Sequence, residues 1–158
     1  MCGGFFIMKN IDEHFMKIAL KEAEKAREID EVPIGAVIVK DNRVIARGHN
    51  LRESKKDPLG HAELVAIKKA SKKIGDWQLV DCTLYVTLEP CIMCGGAIIQ
   101  SRIKTVVYGA DDPKGGAFGS SINVLDANNI NHKPEIKKGI LKEECSQIIK
   151  NYFKSKRK

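Results

Sequence analysis

The chain has 158 residues, 43% hydrophobic and 30% charged, with a net charge of +7. This is the size and balance of one folded domain, which excludes a disordered chain, and no apolar run approaches the roughly 18 residues that would span a bilayer. Five cysteines, an odd number, argue against a disulfide framework and for a reducing, cytoplasmic setting. Residues 1–7 read as a flexible N-terminal extension, and 8–158 as a single domain. Ile11, Phe15, Ile18, Ala19, Ala23, Ala26 and Ile29 recur at helical spacing, predicting a helix over 11–29 that Pro33 cannot continue. Residues 34–39 are a short β-branched run, Lys40-Asp41-Asn42 carries turn chemistry, and 43–48 predicts a second strand, giving a hairpin. A polar loop over 50–60 precedes a helix over 61–73. A strand over 83–88, a helix over 91–100 and a strand over 104–108 follow. Residues 109–134 are irregular, with one helical turn near Val124. A last short strand at 135–138 precedes an amphipathic C-terminal helix carrying Leu141, Cys145, Ile148, Ile149, Tyr152 and Phe153. Helices alternating with short apolar strands predict a three-layer α/β/α domain around a mixed sheet of about five strands.

Charge is unevenly spread: residues 40–73 and 137–158 each carry a net +6, flanking a slightly acidic middle. Such blocks suggest a polyanionic partner. Lysines in the last turn of a helix also offset its dipole, which accounts for part of the second block.

Two short segments concentrate the chemistry: His61-Ala62-Glu63 and Pro90-Cys91-Ile92-Met93-Cys94. Cys91 and Cys94 are spaced i,i+3 at a helix start, so their sulfurs share one face. The unpaired N–H groups there favour thiolate. His61, at the start of the other helix, adds an imidazole. Three protein ligands leave a tetrahedral Zn2+ one open position, the catalytic rather than structural arrangement. Glu63 stands two residues beyond His61, where it can face the water rather than the ion and move its proton. A structural zinc knuckle would need a fourth ligand, but Cys82 and Cys145 sit in apolar-periodic segments and read as small core residues. A redox Cys-x-x-Cys pair would leave His61 and Glu63 without a role.

These segments, with Val32-Pro33-Ile34-Gly35-Ala36-Val37, Gly48-His49-Asn50, Asp57-Pro58, Thr83-Leu84-Tyr85-Val86-Thr87-Leu88-Glu89 and Tyr108-Gly109-Ala110-Asp111-Asp112-Pro113-Lys114-Gly115-Gly116, resemble the bacterial tRNA adenosine deaminases of the cytidine deaminase-like superfamily. The resemblance covers nearly the whole chain. It implies a cytidine deaminase-like fold, one Zn2+ per subunit held by His61, Cys91 and Cys94, and Glu63 as proton shuttle. It further implies that Asn50 bonds the flipped nucleotide, and that Val32, Pro33, Ile34 and Leu88 wall the pocket. Backbone groups of Ala62 and Glu89 would read the base edge. Asp112 and Lys114 would face substrate, and Tyr152 and Phe153 would form an aromatic pair near the RNA. The implied activity is deamination of adenosine to inosine at the wobble position of a tRNA anticodon stem-loop, by a cytoplasmic homodimer. Two alternatives share the motifs: a deaminase of guanine, cytosine or a nucleoside, and a non-catalytic zinc-stabilised RNA-binding subunit. The second glycine of Cys94-Gly95-Gly96 and Pro113 depart from the family pattern without touching the zinc motif.

Overall fold

The computed structural model describes residues 2–157, with side chains from Asn10 onward. Helix α1 spans Cys2–Glu28. It starts well before the helix predicted from residue 11 and takes in residues 2–7 of the expected extension, whose side chains lie outside those described. Strands β1 (Gly35–Lys40) and β2 (Arg43–His49) form the predicted hairpin. Asp41 and Asn42 both take left-handed backbone angles, the turn geometry that short Asx residues tolerate in a two-residue hairpin. Helix α2 (Ala62–Ile74), β3 (Thr83–Leu88), α3 (Ile92–Gln100) and β4 (Thr105–Ala110) follow. A single 3-10 turn at Val124–Asp126, β5 (Glu135–Lys138) and α4 (Lys142–Lys156) complete the chain.

The sheet has the order β2-β1-β3-β4-β5. β1 runs antiparallel to both β2 and β3, while β3, β4 and β5 are parallel. Alternation along the strands builds two cores. Ala36, Ile38, Leu84, Val86, Val106 and Tyr108 pack toward α2 and α3. Val37, Val39, Tyr85 and Val107 pack toward α1 and Cys145 of α4. The expected three-layer cytidine deaminase-like architecture is therefore present, with both sheet faces covered. Burying a valine or leucine side chain contributes about 1.5–3 kcal/mol, so these alternating sets, rather than the short helices' own propensity, hold the layers together. Among the described residues no helix is long and apolar enough to cross a membrane.

The parallel pair β3 and β4 ends at one edge of the sheet. There β3 passes through Glu89 and Pro90 into α3, and β4 passes into the 111–120 loop. Open α/β sheets bind ligands beyond the carboxyl ends of their strands. The polar loop after β2 returns the chain to the same edge at the start of α2.

Candidate metal centre and substrate pocket

His61 and Cys91 occupy equivalent places: each is the residue immediately before the first turn of its helix. Both have extended backbone angles, and neither spends its side chain on a capping hydrogen bond. Their side chains therefore face each other across the gap between the starts of α2 and α3. His61 Nδ1 lies 3.6 Å from Cys91 Sγ and 3.5 Å from Cys94 Sγ. All three donor atoms lie within 4.8 Å of one another. Tetrahedral Zn–S and Zn–N bonds of about 2.3 and 2.0 Å place neighbouring donors about 3.5 Å apart, so the imidazole and two sulfurs fit a metal ion of that size.

The three donor groups perturb one another's protonation strongly. A hydrogen bond from the Cys94 thiol, with further help from His61, holds Cys91 far below the usual thiol range, at about 4. Cys94, giving that bond and buried, is pushed up. His61 is raised by its bond with Cys91. Glu63 sits in the first turn of α2 and is 4% exposed. Burial pushes its carboxyl up to about 7.

His61 and Glu63 line a cavity of about 780 Å³. Val32, Ile34, Asn50, Ala62, Leu88, Asp112, Lys114 and Phe153, all singled out from sequence, line it too. Pro33, Glu89 and Tyr152 are not among the lining residues, and the base-edge role expected of Glu89 falls on its backbone, not on its side chain. Pro33 is buried. Glu89 turns its carboxylate to the 111–120 loop, where it accepts hydrogen bonds from the backbone N–H groups of Asp112 (3.1 Å), Phe118 (3.0 Å) and Ser120 (3.2 Å) and from the Ser120 hydroxyl. The Tyr152 hydroxyl donates to the Asp30 carbonyl at 3.2 Å, tying α4 to the entry of β1.

Sequence reading passed over Arg52, Ser146 and Lys150, and took Ile149 only as part of the apolar face of α4. Ser146, Ile149, Lys150 and Phe153 share a helical face and line the cavity mouth. Their i, i+3, i+4, i+7 spacing is also the signature of a core-facing stripe, so spacing alone could not separate the two. Arg52 lies in a polar loop whose composition singles out no residue.

Comparison with known proteins agrees with this geometry. A sequence profile of the MafB19-like deaminases matches residues 10–157. The tRNA-specific adenosine deaminase of Bacillus subtilis (strain 168) is 50% identical over 147 residues, covering 93% of this chain and 91% of that protein. The tRNA-specific adenosine deaminase of Haemophilus influenzae is 45% identical over 152 residues, covering 96% and 88%. A solved structure from work on A-to-I editing by tRNA:A34 deaminases at the wobble position superposes with a TM-score of 0.83. It is 46% identical and covers 85% of this chain and 98% of its own. With its His/Cys/Cys group, buried glutamate and pocket, the chain belongs to the family of tRNA-specific adenosine deaminases.

Proposed function

We propose that the protein converts adenosine to inosine at the wobble position of a tRNA anticodon by hydrolysis, releasing ammonia. The observation that carries this reading is the placing of Glu63, buried beside a metal-competent His61/Cys91/Cys94 group and open to a cavity large enough for a nucleotide. His61, Cys91 and Cys94 would hold Zn2+. When bound, the ion acts as a Lewis acid that lowers the pKa of a water in its open position to about 7.

The rest of the chemistry falls to the chain's own residues. Glu63 takes a proton from the water and delivers it to N1 of the adenine as oxygen adds to C6. It then takes the second proton from the hydroxyl now on C6 and passes it to the amine; the C6–N6 bond breaks as the C6=O bond forms and ammonia leaves, so that water is consumed and inosine formed. Asn50, with Val32, Ile34 and Leu88, orients the base. Splaying the target out of an anticodon loop is less costly than extracting it from a duplex. Lys114, Arg52 and Lys150 at the cavity mouth suit the flanking phosphates. The single domain over 8–158 carries this activity. A homodimer belongs to the same reading: Ile92 is 64% exposed and Ile122 46%, on α3 and next to the 3-10 turn that α3 touches, and a second copy would cover them. A cytoplasmic location suits the free thiols Cys82, Cys91, Cys94 and Cys145.

The test is ammonia and inosine formation from an anticodon stem-loop bearing adenosine at the wobble position, beside free adenosine, guanine and cytidine. The expected result is turnover of the RNA, lost in Glu63→Ala with metal content retained. Ammonia from a free base with none from the RNA would overturn the substrate, and full activity of Glu63→Ala would overturn the shuttle.

A further inference from the structure

Glu31 is a buried carboxylate with no part in the chemistry above. It stands just before β1 and is 1% exposed. Among the described residues no ion pair reaches it. Both oxygens go instead to consecutive backbone amides of the loop between β2 and α2. Oε1 accepts from Glu53 N–H at 3.1 Å and Oε2 from Ser54 N–H at 2.6 Å. Burial pushes the carboxyl up, and these bonds more than offset it, leaving Glu31 below the usual range.

The neighbouring backbone grips the same loop. The Val32 carbonyl accepts from Asn50 Nδ2 at 3.4 Å, and the Ile34 carbonyl from Asn50 N–H at 3.2 Å. Asn50 Oδ1 in turn accepts from Arg52 N–H at 3.1 Å. The stretch entering β1 therefore clamps residues 50–54 from both sides of Arg52. Residues 52–56 are all exposed, so no apolar burial holds them.

Burying a carboxylate is costly unless its oxygens are hydrogen-bonded, and an apolar residue of similar volume would fill the same space more cheaply. What the carboxylate supplies that an apolar residue cannot is two acceptors at the spacing of two successive amides, which selects one loop conformation. Asn50 and Arg52 line the pocket, and the Arg52 side chain is 52% exposed, its guanidinium 3.6 Å from the carboxylate of the likewise exposed Glu53, a solvent-screened pair that leaves it reachable at the rim.

We propose that Glu31 is a positioning residue for substrate: through the Glu53 and Ser54 amides it fixes the loop that carries Asn50 and Arg52, and so sets the site's affinity for an RNA strand. This rests on the deaminase reading above. Arg52 then meets a phosphate beside the target nucleotide, and Glu31 never touches the RNA itself.

The test is steady-state kinetics on the adenosine-bearing anticodon stem-loop with Glu31→Gln, Arg52→Ala and the double variant, each checked for metal content. Glu31→Gln keeps the volume and removes one acceptor. KM is expected to rise about tenfold with kcat within about twofold. The Glu53 and Ser54 amides should exchange hydrogen faster. Arg52→Ala should raise KM and flatten the salt dependence of kcat/KM by about one unit of log–log slope. The double variant should be no worse than the poorer single one, the mark of two residues acting as a unit. Unchanged KM in Glu31→Gln, faster amide exchange without a KM effect, or additive losses in the double variant would each overturn the proposal. Should Glu31→Gln fail to fold, unchanged KM and salt slope in Arg52→Ala would overturn it alone. A wild-type protein inactive on this RNA would instead overturn the deaminase reading.

Discussion

Gly48 of β2 and Ala62 of α2 are in backbone contact. A Cβ at residue 48 would overlap the Ala62 carbonyl oxygen and stand 2.9 Å from the Ala66 nitrogen. The start of α2, with His61 and Glu63, is thus set against the sheet with no side chain between. Gly48→Ala should push α2 outward. Overpacking of this kind costs about 1–3 kcal/mol, and at this chain length each kcal/mol lowers Tm by roughly 2–4 °C. Deamination should fall further than stability alone explains, because His61 moves relative to Cys91 and Cys94. Gly95→Ala is the control: its Cβ would meet only side-chain atoms, the Val124 methyl groups at 3.3 and 3.5 Å and the Phe118 ring at 3.7 Å. Helix propensity there favours alanine by up to about 1 kcal/mol. Thermal melts and turnover of both variants test the contrast.

The short motifs made the centre of the site legible in sequence, because ligation and proton transfer need particular atoms at particular helix positions. His61, Glu63, Cys91 and Cys94 are local in sequence pairwise, and only the meeting of the two helix starts needed the fold. Most strands were legible from β-branched runs. Arg52 and Lys150 were not, since a cation facing a cavity and one facing water have the same composition signal. Glu31 and Glu89 were not legible as loop anchors either. Their partners are backbone amides 22 to 31 residues away, and backbone amides leave no trace in the letters. Tyr152 and Phe153 illustrate the limit of periodicity: their rings pack edge-to-face at 5.3 Å, as the expected pair, yet Phe153 lines the cavity while the Tyr152 hydroxyl reaches Asp30.

Metal removal should couple activity to stability. His61, Cys91 and Cys94 belong to two different helix starts, so an ion bound by all three cross-links α2 to α3. A chelator is expected to abolish deamination and lower the melting temperature, with Zn2+ restoring both, because a ligand that binds the folded state alone stabilises it by mass action. Cys91→Ser should lose most of its metal and respond little to added chelator. Metal analysis alongside melting curves gives the comparison, and an equal chelator response in wild type and Cys91→Ser would exclude this ligand set.

The 111–120 loop has its own anchor in Glu89, and Gly116 is the point at which it can be disturbed. A side chain at residue 116 would overlap the Glu89 carboxylate, which holds the amides of Asp112, Phe118 and Ser120. Gly116→Ala should therefore displace Asp112 and Lys114 from the cavity rim. KM for RNA should rise severalfold. Metal content and the His61 environment should stay as in wild type, since the ligands lie on the helix starts and not on this loop. Kinetics with parallel metal analysis separates a loop effect from damage to the centre.

Cys145 makes stability depend on alkaline pH. It is fully buried between α4 and the sheet, and burial pushes its thiol from 9.0 up to about 12. Below pH 9 the thiol is protonated in both folded and unfolded chains, and its contribution to stability is complete. Between pH 9 and 12 the unfolded chain loses the proton while the folded one keeps it. Stability therefore falls as pH rises, by at most about 1.4 kcal/mol per pH unit from this group, and levels above the folded value. Cys145→Ala removes the term at the cost of a small cavity. The variant is expected to be less stable than wild type at pH 8, and this deficit should shrink by about 1–2 kcal/mol at pH 10.5. Tyr85 and Tyr108 are also raised by burial, but both proteins contain them, so they cancel in the difference. Denaturant unfolding of the two proteins at the two pH values measures it, and a deficit unchanged with pH would show that the Cys145 thiol does not titrate on unfolding in this range.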